Sequence, residues 1–349
     1  MTSGQNKINT HNTHADISKP YISVIITAYN RKEFLIDAVK SAINQTLKRE
    51  FFEVIVSKNF DDLAIDTFLR KNGIICMRFE ECLSGEMLLS SALVAKGEVI
   101  SFLDDDDLFT PDKLERVYDI FINNKNVCVH RNEIRYIDIG GNSARALYRV
   151  CKDDMLIRNS EKEFGIKHIL KYSRLFNMST ISVLKAVVVS CDYLRFCEIG
   201  QESFILHAAA TSAQDIFLDS RILTCYRIHQ STSLSIEKKF REFGEIRRKR
   251  SIAYMETDVL LLSKSRAEYL KDIWRFLADS EKVIIALCTG KTARRTLILS
   301  GATWIRGLYK IKGRPLSSIA SVLACSFYLI SPALCSRFYY STQKIFIQI

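Results

Sequence analysis

The 349-residue sequence has little proline (4) and little glycine (13), no low-complexity stretch and no repeat of solenoid period. These absences exclude collagen-like, disordered and solenoid chains, and the 48% hydrophobic content is enough for a sizeable core. The 10 cysteines form no CxxC pair and no zinc-ligand spacing, so they read as reduced core thiols in a cytosolic protein. The polar start lacks the basic and apolar segments of a signal peptide, and residues 1–19 are expected to be a disordered tail. Acidic residues are missing at the other end: from residue 282 onward there are ten Lys and Arg and no Asp or Glu. The net charge of +11 therefore sits almost wholly in that tail, and no nucleic-acid module accompanies it, so no nucleic-acid partner is expected. Within the tail, residues 315–336 are uncharged and approach the length of a membrane span, about 20 residues. Aromatic and basic residues flank this run, as at a membrane interface, which places the protein peripherally on the cytosolic face of the membrane. An interfacial or re-entrant element is favoured there; a span and a buried helical hairpin stay open.

The front half alternates strand and helix patterns. YISVIITAY from position 21 is an apolar, β-branched run of the kind that forms a strand buried on both faces. Asn30 is then expected to cap a helix whose apolar stripe is Phe34, Leu35, Ala38, Val39, Ala42 and Ile43. FFEVIVS and GIICMRF give two more strands, with a helix between them opened by Asp61 and ended by Gly73. A helix near residues 85–96 and the strand EVISFL follow, and Thr110 with Pro111 is expected to start the next helix. This alternation predicts an α/β fold with a mostly parallel sheet flanked by helices, and ligands beyond the carboxyl ends of the strands.

Those ends carry TAYNR, SKNFDD and the four carboxylates Asp104, Asp105, Asp106 and Asp107. Like charges so close raise one another's pKa, so a dry site would require a cation. Alternate residues of an extended chain share a face, which allows Asp104 and Asp106 to point into one crevice. An oxygen-preferring divalent ion, Mg²⁺ or Mn²⁺, suits such ligands and completes its shell with substrate phosphates. A solvated acidic turn remains the alternative on composition alone.

TAYNR, the block GEVISFLDDDDLFTPDKL and the later GQESFILHA resemble family-2 glycosyltransferases of the GT-A fold, over about residues 21–233. The resemblance implies inverting transfer of a sugar from a nucleotide-sugar donor to an acceptor hydroxyl on a glycan or lipid-linked acceptor, with a divalent metal on the diphosphate. It further implies that Thr27, Ala28, Tyr29 and Asn30 line the base pocket, that Asp104 holds the nucleotide side, that Asp106 ligates the metal, and that Asp105 or Asp107 supports it. Two departures stand out. Lys58 occupies the place of a uracil-reading Asp and cannot accept the same hydrogen bond. Gln201-Glu202 replaces the usual Glu-Asp pair, leaving Glu202 as the candidate catalytic base.

In the acceptor half, NVCVHRNEIRYIDIGGNSARALYRV reads as two strands around a turn, followed by a helix near residues 161–172 and a further strand in MSTISVLKA. In LTCYRIHQSTS, Arg227 is a candidate to brace a phosphate and His229 a candidate metal ligand, each with a plain strand-end role as its alternative. His130, His168 and His207 read as structural or surface residues, and Lys113 and Arg131 as solvated. The expected organisation is a catalytic domain over residues 20–234, divided into a nucleotide-sugar half (20–125) and an acceptor half (126–234). A helical, membrane-associating region spans 235–349. A GT-A-like scaffold that has lost catalysis is the alternative function.

Overall fold

The computed structural model describes residues 19–144, 153–171, 177–229 and 240–289. The tail at 1–18 and the run at 315–336 lie outside the described residues. Nine strands form one sheet in the order β3-β2-β1-β4-β8-β6-β9-β5, with β7 paired to β9. The strands are β1 (Ile22–Ala28), β2 (Phe52–Lys58), β3 (Ile75–Arg78), β4 (Val99–Asp104), β5 (Leu108–Phe109), β6 (Val127–Ile137), β7 (Met155–Ile157), β8 (Ile181–Leu184) and β9 (Asp215–Arg227). The helices are α1 (Leu35–Ile43), α2 (Leu63–Lys71), α3 (Ser84–Val94), α4 (Lys113–Asn123), α5 (Lys162–Lys171), α6 (Lys185–Val189), α7 (Gln201–Thr211), α8 (Phe240–Lys264) and α9 (Glu268–Thr289).

Strands β3, β2, β1 and β4 are mutually parallel, as the βα alternation predicts. Antiparallel β8 then pairs with β4 and β6, which turns the second half into a mixed sheet. The chain runs outward from β1 through β2 to β3, then returns to the other side of β1 with β4. This reversal opens a crevice at the carboxyl ends of β1 and β4, where Thr27 pairs with Asp104.

Two apolar layers enclose the sheet. On one face α1, α2 and α4 bury Leu35, Val39, Ile65, Leu69, Leu114 and Val117 against β1, β2 and β4. On the other, α3, α6 and α7 pack with Leu261, Leu270, Ile273 and Trp274 of α8 and α9 into a single cluster. The helical hairpin α8–α9 is thus part of the core. Among the described residues, no helix is long and apolar enough to cross a membrane.

Several local expectations change. Helix α1 starts at Leu35 with Phe34 as its N-cap residue; Asn30 caps nothing and instead adopts φ 55° in the preceding loop. Asp62, not Asp61, caps α2, accepting from Ala64 and Ile65 N–H; Asp61 lies one residue earlier and pairs with Arg78. Helix α4 begins at Lys113, beyond Thr110 and Pro111. Most of the second strand expected after the IGGN turn, from 145 to 150, lies outside the described residues; at its start Ile137 and Ser143 form an antiparallel bridge. Gly73, with φ +64°, ends α2 as expected.

Lys113 and Arg131 are buried rather than solvated. Lys113 Nζ donates to Asn132 Oδ1 (2.5 Å), the Ser179 carbonyl (3.1 Å) and Thr224 Oγ1 (3.4 Å), and burial lowers its pKa to about 7. Arg131 pairs with Glu133. Helix and strand periodicity places these residues correctly along the chain but does not reveal that partners on β6, β9 and the 178–180 turn satisfy their charge. Trp274 is buried and donates from Nε1 to His207 Nδ1 (3.0 Å); burial lowers the His207 pKa to about 4, which keeps the ring neutral and able to accept. Trp274→Ala is expected to destabilise the protein by about 3–5 kcal/mol in urea unfolding. A loss under about 0.5 kcal/mol, the size of an ordinary surface effect, would show that the hairpin contributes little to the core.

Candidate active site

The acidic segment is the end of β4 and a three-residue connection, pinned at both ends. β4 holds Asp104 in the centre of the sheet, and β5 pairs immediately afterwards with β9. Asp107 N–H donates to the Asp104 carbonyl at 3.3 Å, closing a tight turn. The carboxylates divide by parity: Asp104 and Asp106 stay half-open to the crevice, while Asp105 and Asp107 are buried. The turn also brings Asp107 round, and carboxylate oxygens of Asp104, Asp106 and Asp107 lie within 4.8 Å of one another.

Charge compensation is uneven. Arg31 pairs with Asp105 through two nitrogens and reaches Asp106 Oδ2 from Nη1 at 2.7 Å. His229 Nε2 lies 2.8 Å from the same Asp106 oxygen and 3.5 Å from Arg31 Nη1. Asp107 accepts from Ser179 Oγ (2.6 Å) and from Arg227 N–H (3.0 Å). Asp104 has no ion pair among the described residues. Burial, followed by the charges of Asp107, Asp106, Asp105 and Glu202, pushes its pKa well above the usual carboxylate range. Asp107 rises to about 8, chiefly through burial and Asp106, despite its two donors. Burial also raises Asp105, and Arg31 pulls it partly back.

Three converging oxygen donors, with one carboxylate uncompensated, fit a divalent cation of the Mg²⁺ or Mn²⁺ class. The capable set is Asp104, Asp106 and Asp107. His229 is engaged with Asp106 and is not among the three converging ligands, which differs from the expected Asp106–His229 pair.

The loops after β1 and β2 are tied together: Asn30 N–H donates to Asn59 Oδ1 (2.7 Å) and Asn59 Nδ2 donates to Asn30 Oδ1 (3.0 Å). The left-handed backbone at Asn30 then turns Arg31 back across the end of β4. Thr27 and Ala28 end β1 at the floor of the crevice, and Tyr29 is 48% exposed at its rim. Lys58 is directed away from this opening. It is 1% exposed, donates to the Phe60 carbonyl (2.5 Å) and pairs with Asp66 of α2 (3.0 Å).

Arg227 is also buried. Its guanidinium donates to the carbonyls of Asp106 (2.8 Å), Ile139 (2.6 Å) and Asp138 (3.3 Å) and lies 4.5 Å above the Phe34 ring. These partners are main-chain atoms that shape the acidic turn. Glu202 is half-buried in the first turn of α7, close enough to raise the Asp104 pKa. Burial raises its own pKa to about 7, and Arg250 opposes that rise.

Sequence reasoning missed Arg31 and Ser179. Arg31 is the last residue of TAYNR but received no role, and a demand for positive charge opposite four carboxylates could have singled it out. Ser179 carries no such signal: it donates to Asp107, accepts from Asp104 N–H (3.0 Å), and its carbonyl receives Lys113.

Comparison with known proteins gives this geometry its context. The model of glycosyl transferase family 2 matches residues 23–190, which include the crevice and the acidic turn. Residues 23–190 thus form a glycosyl transferase family 2 domain. A glycosyltransferase of Rickettsia typhi is 24% identical over 332 residues, covering 82% of this chain and 96% of that protein. Escherichia coli WfaP, a UDP-Glc:alpha-D-GlcNAc-diphosphoundecaprenol beta-1,3-glucosyltransferase, is 35% identical over 97 residues, 27% of this chain and 38% of WfaP. The chain spans about half or less of its relatives from Methanocaldococcus jannaschii (46%) and Rickettsia felis (34%). Residues 1–349 of Staphylococcus aureus TarS share the fold with a TM-score of 0.53 at 14% identity, covering 93% of this chain and 88% of that one. The fold is therefore that of GT-A glycosyltransferase structures.

Arg31→Gln would leave Asp105 buried without its partner. A destabilisation of about 3–5 kcal/mol is expected in urea unfolding at pH 7. A change under about 0.5 kcal/mol would show that Arg31 does not neutralise the turn.

Proposed function

We propose that the protein transfers a sugar, with inversion, from a nucleotide-diphosphate sugar held in the β1/β4 crevice to an acceptor hydroxyl. The observation that carries this reading is the pairing of an undercompensated carboxylate cluster at the end of β4 with Glu202, a carboxyl of raised pKa on the facing helix. Such a transfer requires stabilisation of the charge growing on the leaving diphosphate, and removal of the acceptor proton on the opposite side.

Asp104, Asp106 and Asp107 would hold the divalent cation, which when bound neutralises the departing diphosphate. Thr27, Ala28, Tyr29 and Asn30 line the nucleoside side, with the exposed Tyr29 ring available for stacking on the base. Asp105 is fixed by Arg31 and shapes that wall. Lys58 is turned away toward Asp66 and offers no acceptor to a uracil, so recognition of the base falls to the surrounding main chain and Asn59. Arg227 and His229 hold the acidic turn in shape. Glu202 takes the acceptor proton; its pKa of about 7 makes it a base matched to neutral pH.

A lipid-linked acceptor is supported by the activity of the WfaP relative, and membrane association by the ten basic residues and the apolar run in 282–349. On that reading the protein works peripherally at the cytosolic face of the membrane, with no nucleic-acid partner.

With UDP-glucose and an N-acetylglucosamine diphosphate on a long alkyl chain as first probes, Glu202→Gln is expected to lower kcat by about 10²–10⁴-fold while donor affinity persists. Full kcat in that variant would remove Glu202 from the chemistry. In the native protein the base works only when deprotonated, so kcat/KM is expected to fall as pH drops through about 7. A rate that is flat from pH 5.5 to 8 would contradict the assignment.

A further inference from the structure

Glu202 lies beyond residues 23–190, and so does the helix that holds it. The short segment leading into α7 is clamped from two sides. From α3, Ser84 Oγ donates to the Glu198 carbonyl and accepts from Gln201 Nε2. From α8, Thr257 Oγ1 donates to the Ile199 carbonyl at 2.9 Å. Between these contacts Gly200 takes φ +89°, and a Cβ there would come within 3.2 Å of the Tyr254 ring. The ring therefore seats directly on the one backbone position that lets the chain turn into α7 just before Glu202.

Arg250, Tyr254 and Thr257 recur at intervals of four and three on α8, so they share one helical face, the face toward α7. Arg250 lies near enough to Glu202 for its charge to favour the carboxylate, opposing burial. The same neighbourhood holds the acidic groups Asp258 on α8, Glu281 of α9 and Asp104 across the crevice, and a second basic group, Arg247, which with Arg250 acts on Glu281. Of these two basic groups Arg250 is the one whose charge acts on Glu202, and it also hydrogen-bonds Tyr254 on the same helical face. A glutamate has three rotatable bonds, and a base that must meet an acceptor hydroxyl within about 3 Å depends on a fixed backbone and a fixed charge partner.

We propose that Arg250, Tyr254 and Thr257 of α8 are positioning residues for Glu202, so that the C-terminal hairpin completes the catalytic half of the site. This inference rests on the reading of Glu202 as the base. A direct consequence is that the 23–190 stretch alone holds the cation-binding turn without the group that accepts the proton.

The test uses the full chain, the same UDP-glucose probe and a double-mutant cycle. Thr257→Val removes the hydroxyl at nearly constant volume, and Thr257→Ser restores it; Arg250→Gln and Arg250→Lys form a second pair, with thermal unfolding confirming that each variant folds. The expected result is a loss in kcat of about tenfold to a hundredfold for Thr257→Val and Arg250→Gln. Donor KM should stay within about twofold, and Thr257→Ser and Arg250→Lys should recover most of the rate. Combined with Glu202→Gln, neither Thr257→Val nor Arg250→Gln should lower the residual rate further, because both act through the same carboxyl. Unchanged kcat in the folded variants, a parallel rise in donor KM, or a full additional loss in the Glu202→Gln background would overturn the proposal. An active Glu202→Gln would instead overturn the base assignment itself, so the two failures are distinguishable.

Discussion

The arrangement of the molecule depends on one electrostatic problem, four carboxylates at the end of a buried central strand. A β-strand can deliver such a cluster to the crevice only if the protein neutralises part of it, and the structure does so asymmetrically. Arg31 is spent on Asp105 and Asp106, His229 on Asp106, and two hydrogen-bond donors on Asp107, while Asp104 is left undercompensated. The asymmetry separates structure from function. Three members have protein partners that shape the turn, and the residual negative charge faces the opening, where a cation and the phosphates it binds can meet it.

Much of the surrounding architecture serves that turn. The left-handed Asn30 and its exchange of hydrogen bonds with Asn59 aim Arg31; the long β6–β9 pair brings Arg227 and His229 back to it, with Ile228 N–H on the Ile137 carbonyl at 2.9 Å. Buried Lys113 reaches the turn through Ser179, whose carbonyl it holds and whose side chain bonds Asp107. On the far side of the crevice, α7 presents Glu202, and its starting point is fixed by α3 and α8. The sheet thus supplies the acidic side and the helical layer supplies the facing carboxyl.

What was legible in the sequence follows physical range. Local periodicity located β1 to β4 and the helices between them, because apolar stripes of strand and helix differ in period. The position of DDDD after an apolar strand identified the crevice, because a βα alternation puts strand ends there. Pairings distant in sequence were not legible. Nothing in MST marks Ser179 as the bridge between Lys113 and Asp107, and the buried state of Lys113 depends on Asn132 and Thr224, far along the chain. Asn30 looked like a cap because Asn often is one; the tie to Asn59 overrode that propensity. The helical expectation for 235–349 left the partner of α8 and α9 open, which the shared cluster around Trp274 supplies.

The most direct measurement of the central claim, that the β4 carboxylates form the cation-dependent donor site, is calorimetric titration of the full chain with UDP-, GDP-, dTDP- and CMP-sugars, in Mn²⁺ and then in chelator. The account predicts that one nucleotide binds in Mn²⁺, that chelator weakens its binding sharply, and that Asp104→Asn abolishes the difference. Binding of equal strength with and without metal, unaffected by Asp104→Asn, or no binding by any of the four, would contradict it.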